Sequence, residues 1–315
     1  MQCLIIGGYG FIGSHLARRL VDEGHQVVVY GHRPQRSLVP PLHGVTSIEG
    51  ELRDIPHLRS YLIGAPVVFH LAGSAAPQAS VENPFHDLET NVTDTLYLLE
   101  LCRAMPITRL IYVSSGGTVY GIPRTPSIAE DHPTDPISAY GVNKLATEKY
   151  ISMYHHLYGL DYVIIRPANV YGEHQNVYKR QGVVGIFLHQ IALGQEITIW
   201  GDGETTRDYI YVGDLVEALL RVAAAPLRQR LFNVGDNQGT TLNELLALMR
   251  AVTGRSISVR YEPARSVDVS VNVLNSMRAY RELGWRPNMP LHNGLVRTWQ
   301  WIEQVAREES APLIQ

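Results

Sequence analysis

Cys3-Leu4-Ile5-Ile6-Gly7-Gly8-Tyr9-Gly10-Phe11-Ile12-Gly13-Ser14-His15-Leu16-Ala17-Arg18-Arg19-Leu20 joins a short apolar run to a helical pattern through a glycine-rich turn. The run reads as a buried strand, and Leu16 and Leu20 fall on one helical face. Glycines at 7, 10 and 13 permit a tight turn, close backbone approach to a pyrophosphate, and close packing of helix on strand. The helix would open with unpaired N–H groups aimed at phosphate. Strand before, helix after, and a position at the start of the chain together make this a dinucleotide site. The spacing is Gly-x-x-Gly-x-x-Gly, not the Gly-x-Gly-x-x-Gly of two-domain dehydrogenases.

Gln26-Val27-Val28-Val29-Tyr30 is the second strand. A NAD site normally ends this strand with Asp or Glu for the ribose diol. Gly31-His32-Arg33 stands here instead, with Arg36 close behind. The turn admits two readings. It accommodates a 2′-phosphate, hence NADP, or it is a solvated basic turn with the ribose held by backbone groups.

Further strands are expected at Val45–Glu49, Pro66–Leu71, Arg109–Val113 and Tyr162–Arg166, with long helices near 82–105 and 136–158. Strands alternating with helices predict an α/β fold, a Rossmann-type doubly wound parallel sheet in residues 1–171. Beyond residue 172 the elements shorten, as in Gly201-Asp202-Gly203 and Arg207-Asp208-Tyr209. Residues 172–315 are read as a smaller α/β substrate lobe intermixed with the first. Tyr209-Ile210-Tyr211-Val212 and the helix after it are expected to return to the sheet. Ligands in such folds sit beyond the carboxyl ends of the strands, where Ala72-Gly73, Ser114-Ser115 and Pro167-Ala168-Asn169 fall.

Composition sets bounds. The chain has 315 residues, 45% of them hydrophobic and 18% charged, with a net charge of −3. That charge gives no reason to propose nucleic acid or an anionic membrane as partner. No apolar run approaches the ~20 residues that span a bilayer. Cys3 and Cys102 read as reduced core residues of a cytoplasmic protein. The 13 histidines show no zinc-ligand spacing, so no metal is expected.

Tyr140-Gly141-Val142-Asn143-Lys144 carries the chemistry. On a helix, residues four apart share a face, so phenol and ammonium point into one site. A free Tyr has a pKa of about 10, and bringing it near neutrality requires roughly 4 kcal/mol of differential stabilisation. A nearby Lys and a bound nicotinamide cation could supply it together.

With those residues in place, the chain resembles the extended short-chain dehydrogenase/reductases, and within them the UDP-glucose 4-epimerase group. The resemblance runs from Gly7 to Leu283-Gly284-Trp285. It includes His70-Leu71-Ala72-Gly73, Asn91-Val92, Ser114 to Gly121, Tyr140 to Lys144, Arg166 to Gly172 and Arg207-Asp208-Tyr209-Ile210. It implies a nucleotide-diphosphate-sugar 4-epimerase with a tightly bound NAD, or NADP. Tyr140 would take the proton from a sugar hydroxyl, and Lys144 would bind the nicotinamide ribose and hold the phenolate. Phe11 and Ile12 would join the glycines at the cofactor. Glu51-Leu52 would lie by the adenine. Leu71, Ala72, Gly73, Ser114 and Pro167 would line the dinucleotide, supported by Asn91.

The family usually carries Ser or Thr where this chain has Gly116. Thr118, two residues on along a strand end, is the favoured surrogate, with Ser115 next and water as the remaining alternative. Gly117-Thr118 offers no acid or base, which argues against a 4,6-dehydratase. Asn169 and Arg207 match residues that hold the diphosphate, for which Arg is suited by its forked geometry. Arg265 and Asp268 match a phosphate and a ribose ligand. Asn272 falls where the family gates sugar size. Ala75 replaces a Lys, leaving a roomier pocket open to a 2-acetamido sugar. The rival reading is an NADP-dependent 4-ketoreductase or dehydrogenase of a deoxy nucleotide sugar. The two long helices, with Leu96, Leu99, Met153 and Leu157, imply a homodimer through a four-helix bundle.

Overall fold

The computed structural model describes residues 1–34, 37–64, 66–73, 80, 82–178, 181–264 and 269–310. Seven parallel strands form the main sheet. β1 (Gln2–Ile6), β2 (Gln26–Gly31), β3 (Val45–Glu49), β4 (Val67–His70), β5 (Arg109–Val113) and β6 (Tyr162–Pro167) lie in the order 3-2-1-4-5-6. The order reverses between β1 and β4, and ligands of doubly wound sheets bind at that crevice. The Rossmann-type expectation holds.

The inner strands are apolar almost throughout because helices cover both faces. Successive residues divide between two cores. Cys3 and Ile5 pack with Leu16 and Leu20 of α1 (Phe11–Asp22). Leu4 and Ile6 pack with Leu98, Leu99 and Ile151 on the opposite face. That second layer comprises α2 (Ile55–Ser60), α3 (Pro84–Leu88), α4 (Asp94–Ala104) and α5 (Ala139–Tyr158). α5 begins at Ser138, whose hydroxyl accepts the Gly141 N–H at 3.2 Å, and ends at Gly159 in the left-handed region at φ 72°. Both are standard helix boundaries.

The helix expected over 82–105 is interrupted. A π turn, Glu89–Thr93, separates α3 from α4. The Asn91 carbonyl accepts from Thr95 Oγ1 at 2.6 Å and from Thr147 Oγ1 at 3.3 Å. Side-chain hydroxyls inserted into a helical ladder are a known cause of such bulges, and π turns gather at functional sites.

β7 (Asn169–Tyr171) leaves the main sheet after Pro167 and pairs with β9 (Thr206–Tyr211), which also pairs with β11 (Gly239–Thr241) and β13 (Val271–Asn272). Tyr209–Tyr211 therefore sits in this small sheet, not in the main one. The segment that returns is β10 (Leu231–Val234), which takes the edge beside β6. The helix after β9, α7 (Val212–Ala224), returns as well, and its Leu215, Leu219 and Val222 join the core of α1.

The remaining elements are α6 (Val183–Ala192), β8 (Ile197–Trp200), α8 (Leu242–Thr253), β12 (Val259–Glu262), α9 (Met277–Leu283) and α10 (Leu291–Ser310). α6, α8 and α10 share a third core through Leu188, Leu245 and Trp299. Among the described residues, no helix is long and apolar enough to cross a membrane.

Candidate active site

A cavity of about 920 Å³ lies over the carboxyl ends of the strands. One end is the glycine turn. A Cβ at Gly13 would stand 2.5 Å from the Gly7 carbonyl oxygen, and one at Gly7 would stand 2.7 Å from the Ala72 nitrogen. Side chains there would force the helix off the strand. Gly10, the N-cap of α1, supplies no side-chain cap, so the first N–H groups of α1 face the cavity. This cradle fits a pyrophosphate.

Gly7, Gly10, Phe11, Ile12, Gly13, Leu71, Gly73, Ser114 and Pro167 all stand in the cavity wall. So do Ser115, Thr118, Tyr140, Lys144, Asn169 and Arg207. Residues separated by up to two hundred positions are brought to one space.

Tyr140 and Lys144 occupy adjacent turns of α5, with the ammonium 5.7 Å from the phenol ring centre. Lys144 is 4% exposed and donates to the Val113 carbonyl at 3.2 Å. Burial lowers its pKa to about 8, against the opposing charges of Asp87 and Glu148. Burial also pushes the Tyr140 phenol up to about 12, with Asp87 adding to the rise. The protein by itself therefore keeps the phenol protonated. Burial and Asp87 set this rise with no lowering from Lys144 beside them, so ionisation requires further positive charge.

Gly116 has a packing reason. A Cβ there would meet Leu274 Cδ1 at 2.5 Å and the Pro167 carbonyl at 3.1 Å, so Leu274 fills the space a Ser side chain would need. The argument that Thr118 extends a strand end is corrected. β5 stops at Val113, and residues 116–120 form turns closed by Val119 N–H to Ser115 O at 3.2 Å. Thr118 nevertheless reaches the cavity wall, and its buried Oγ1 has no hydrogen-bond partner among the described residues. The Ser114 hydroxyl is committed, donating to Glu148 Oε1 at 2.5 Å, while Glu148 also binds Arg166 Nε at 2.9 Å.

Other expected residues lie outside the wall. Asn91 sits behind Gly73, where a Cβ would stand 2.8 Å from its Oδ1 and 3.1 Å from Lys144 Nζ. Ala72 packs its backbone against Gly7. Leu52 is a core residue, and the Glu51 carbonyl accepts the Tyr30 hydroxyl at 2.9 Å. His32 and Arg33 are exposed, and Arg33 pairs with Glu49 at 3.2 Å while lying 5.0 Å over the Tyr9 ring. Gly31 has φ +140°, a conformation that side chains rarely adopt. Asn272 is buried and donates to the Gly116 carbonyl at 3.3 Å instead of walling the cavity. Ala75, Arg265, Asp268 and Arg36 lie outside the described residues.

Sequence reasoning passed over Gly182, which precedes α6 at φ +87° and lets that helix open uncapped onto the cavity. A glycine just before an apolar run was the available signal. It also passed over Asp87, 1% exposed, whose carboxylate accepts from Asn91 Nδ2 at 2.9 Å and from Asn143 Nδ2 at 2.7 Å. A single carboxylate on a helix has no local signature.

The NAD dependent epimerase/dehydratase family matches residues 3–235. A UDP-glucose 4-epimerase of Mycolicibacterium smegmatis is 35% identical, covering 96% of this chain and 98% of that protein. The solved UDP-glucose 4-epimerase of Thermotoga maritima, with UDP-glucose, has a TM-score of 0.92 at 35% identity, over 97% and 99% of the two chains. The Thermus thermophilus UDP-glucose 4-epimerase, in complex with NAD, has a TM-score of 0.89 at 33% identity, over 96% and 99%. A dinucleotide cradle, a Tyr–Lys pair at its far end, and likeness along nearly the whole chain lead to one conclusion: the protein belongs to the NAD dependent epimerase/dehydratase family.

Proposed function

We propose that the protein is an NAD-dependent 4-epimerase of nucleotide-diphosphate sugars, acting on UDP-glucose and UDP-galactose or their N-acetyl forms. One observation carries the reading: Tyr140, Lys144 and the Thr118 hydroxyl, which has no partner among the described residues, share a single cavity with the glycine cradle. When bound, the oxidised nicotinamide supplies a hydride acceptor and a positive charge. Tyr140 would take the proton from the sugar C4 hydroxyl as hydride leaves C4, and would return it to the same oxygen when C4 receives hydride on its opposite face. Lys144, fixed against Val113, holds the cofactor ribose and stabilises the phenolate. Thr118 hydrogen-bonds the sugar O4, with Ser115 beside it. The first N–H groups of α1 bind the dinucleotide pyrophosphate, and Asn169, Arg207 and the open end of α6 hold the sugar-nucleotide diphosphate. No acid or base flanks Thr118 for elimination, so the chemistry is confined to C4.

The ketoreductase reading gains no support from the Gly31–Arg33 turn, which lies outside the cavity wall. Arg33, its candidate for a 2′-phosphate, is engaged by Glu49 and Tyr9. Denaturing the purified protein should release NAD. The native protein should interconvert UDP-glucose and UDP-galactose, or UDP-GlcNAc and UDP-GalNAc, without added cofactor. Stoichiometric NADPH consumption would reject the proposal.

A homodimer through α3, α4 and α5 is part of the same reading. Leu99 is buried and Leu96 is partly buried against the core, so the most exposed apolar side chains of these helices are others. Phe85 is 80% exposed and Leu157 55%, joined on these helices by Leu88, Tyr97 and Met153. Such a patch on a soluble chain marks an interaction surface. Sedimentation should give twice the chain mass, and Phe85→Glu with Leu157→Glu should halve it.

A further inference from the structure

Asp87 is the acid that the mechanism above does not use. It projects from α3 beneath the site and is almost wholly buried. Its Oδ2 accepts from Asn143, in the turn of α5 between Tyr140 and Lys144. Its Oδ1 and its own carbonyl both accept from Asn91 Nδ2, at 2.9 and 3.0 Å. With Nδ2 turned to Asp87, the Asn91 oxygen faces the space beside Gly73, where Lys144 Nζ also stands. One carboxylate thus orients the amides on both sides of the Tyr140–Lys144 pair.

The charges around the pair single out Asp87. Glu148, from α5 itself, is paired with Arg166 of β6 at 2.5 Å. Tyr112 of β5 lies with its ring centre 5.0 Å from Lys144 Nζ, and burial holds its phenol well above the usual range. His70 of β4 is kept neutral by burial and by the Lys144 charge. Glu82 stands at the exposed cavity margin. Among the described residues, no Arg, Lys or His lies within ion-pair distance of Asp87. Its charge is therefore left to act on Lys144 and Tyr140 across the amides. Buried carboxylates without a cation are expensive and are kept where they serve a site.

We propose that Asp87 is a positioning residue for the Tyr140–Lys144 pair, its buried carboxylate orienting Asn91 and Asn143 and supplying the negative charge against which Lys144 remains an ammonium. The inference rests on the reading of Tyr140 and Lys144 as the acid–base pair, but its test is independent of turnover.

The chain has only three lysines, Lys144, Lys149 and Lys179. Protein labelled with ¹³Cε-lysine gives three NMR signals, and Lys149→Arg and Lys179→Arg identify the third. In the parent protein the Lys144 signal should titrate near 8. In Asp87→Asn its midpoint should fall by about one pH unit or more, the scale of removing one nearby charge. Asn143→Leu, which keeps the charge and removes one orienting bond, should move it much less. An unchanged midpoint in folded Asp87→Asn overturns the proposal, as does an equal shift in Asn143→Leu. If Asp87→Asn does not fold, Asp87→Ser carries the same titration, since its hydroxyl still accepts from one amide. Absence of epimerase activity would leave this titration intact, so the two readings fail separately.

Discussion

The Tyr140–Lys144 end of the cavity and the Gly31–Arg33 turn outside its wall are built differently. At the Tyr140–Lys144 end, polar groups from β4, β5, α3, α5 and the π turn are buried and cross-bonded, as in the bonds joining Asp87, Asn91 and Asn143. At the Gly31–Arg33 turn, the side chains are exposed, and Arg33 is held by one surface pair. A buried hydrogen-bonded network has few alternatives, because each broken bond leaves an unpaired polar group. A surface ion pair contributes about 0–1 kcal/mol and readily rearranges. The first region is therefore held in one arrangement, while the second is held by weak, replaceable contacts.

The sharpest attempt to break this contrast is Tyr140→Phe. It should reduce turnover by about 10⁴-fold while leaving dinucleotide binding intact, since proton transfer is lost and the cradle is untouched. Full turnover would remove the base from the scheme. Thr118→Val should cost about 10²-fold, and an unaffected rate would transfer the O4 contact to Ser115 or water.

Stability offers a third test at the same end. The folded pKa of Lys144 is depressed to about 8 from 10.5. Below pH 8 both states hold the proton, and the native state bears the full cost of a buried charge. Between 8 and 10.5 the unfolded chain binds more protons, so stability rises with pH across that window. Lys144→Met should therefore stabilise the protein by up to about 3 kcal/mol at neutral pH and remove that rise. Denaturant titrations at pH 7 and pH 9.5 check both signs.

The smallest effect belongs to the exposed turn. Arg33→Ala should change the NAD-to-NADP affinity ratio by less than about threefold. A large loss of NADP affinity would restore the 2′-phosphate reading. This substitution is preferable to Gly31→Asp, whose side chain would be forced onto φ +140°.

The sequence disclosed what is local. The glycine turn and strands β1, β4, β5 and β6 have short signatures, because strands buried on both faces are near-continuous apolar runs. Tyr140 and Lys144 were legible as a candidate pair only when their helical spacing was read together with the glycine turn and the motifs between them. What escaped depends on distant partners. The π turn follows from hydroxyls of Thr95 and Thr147, the latter on another helix. Gly116 looked like a missing catalytic hydroxyl, whereas Leu274, more than a hundred and fifty residues later, occupies the room for it. The Leu231–Val234 strand is short, follows an irregular stretch, and declares itself only by pairing with β6.

That returning strand has a practical consequence. A gene fragment ending at residue 171 would express β6 with its hydrogen-bonding edge bare and would lack the Leu215 and Leu219 that cover the α1 side. Bare edges recruit other chains, so the fragment should aggregate, whereas supplying residues 172–315 as a separate polypeptide should restore solubility by complementation.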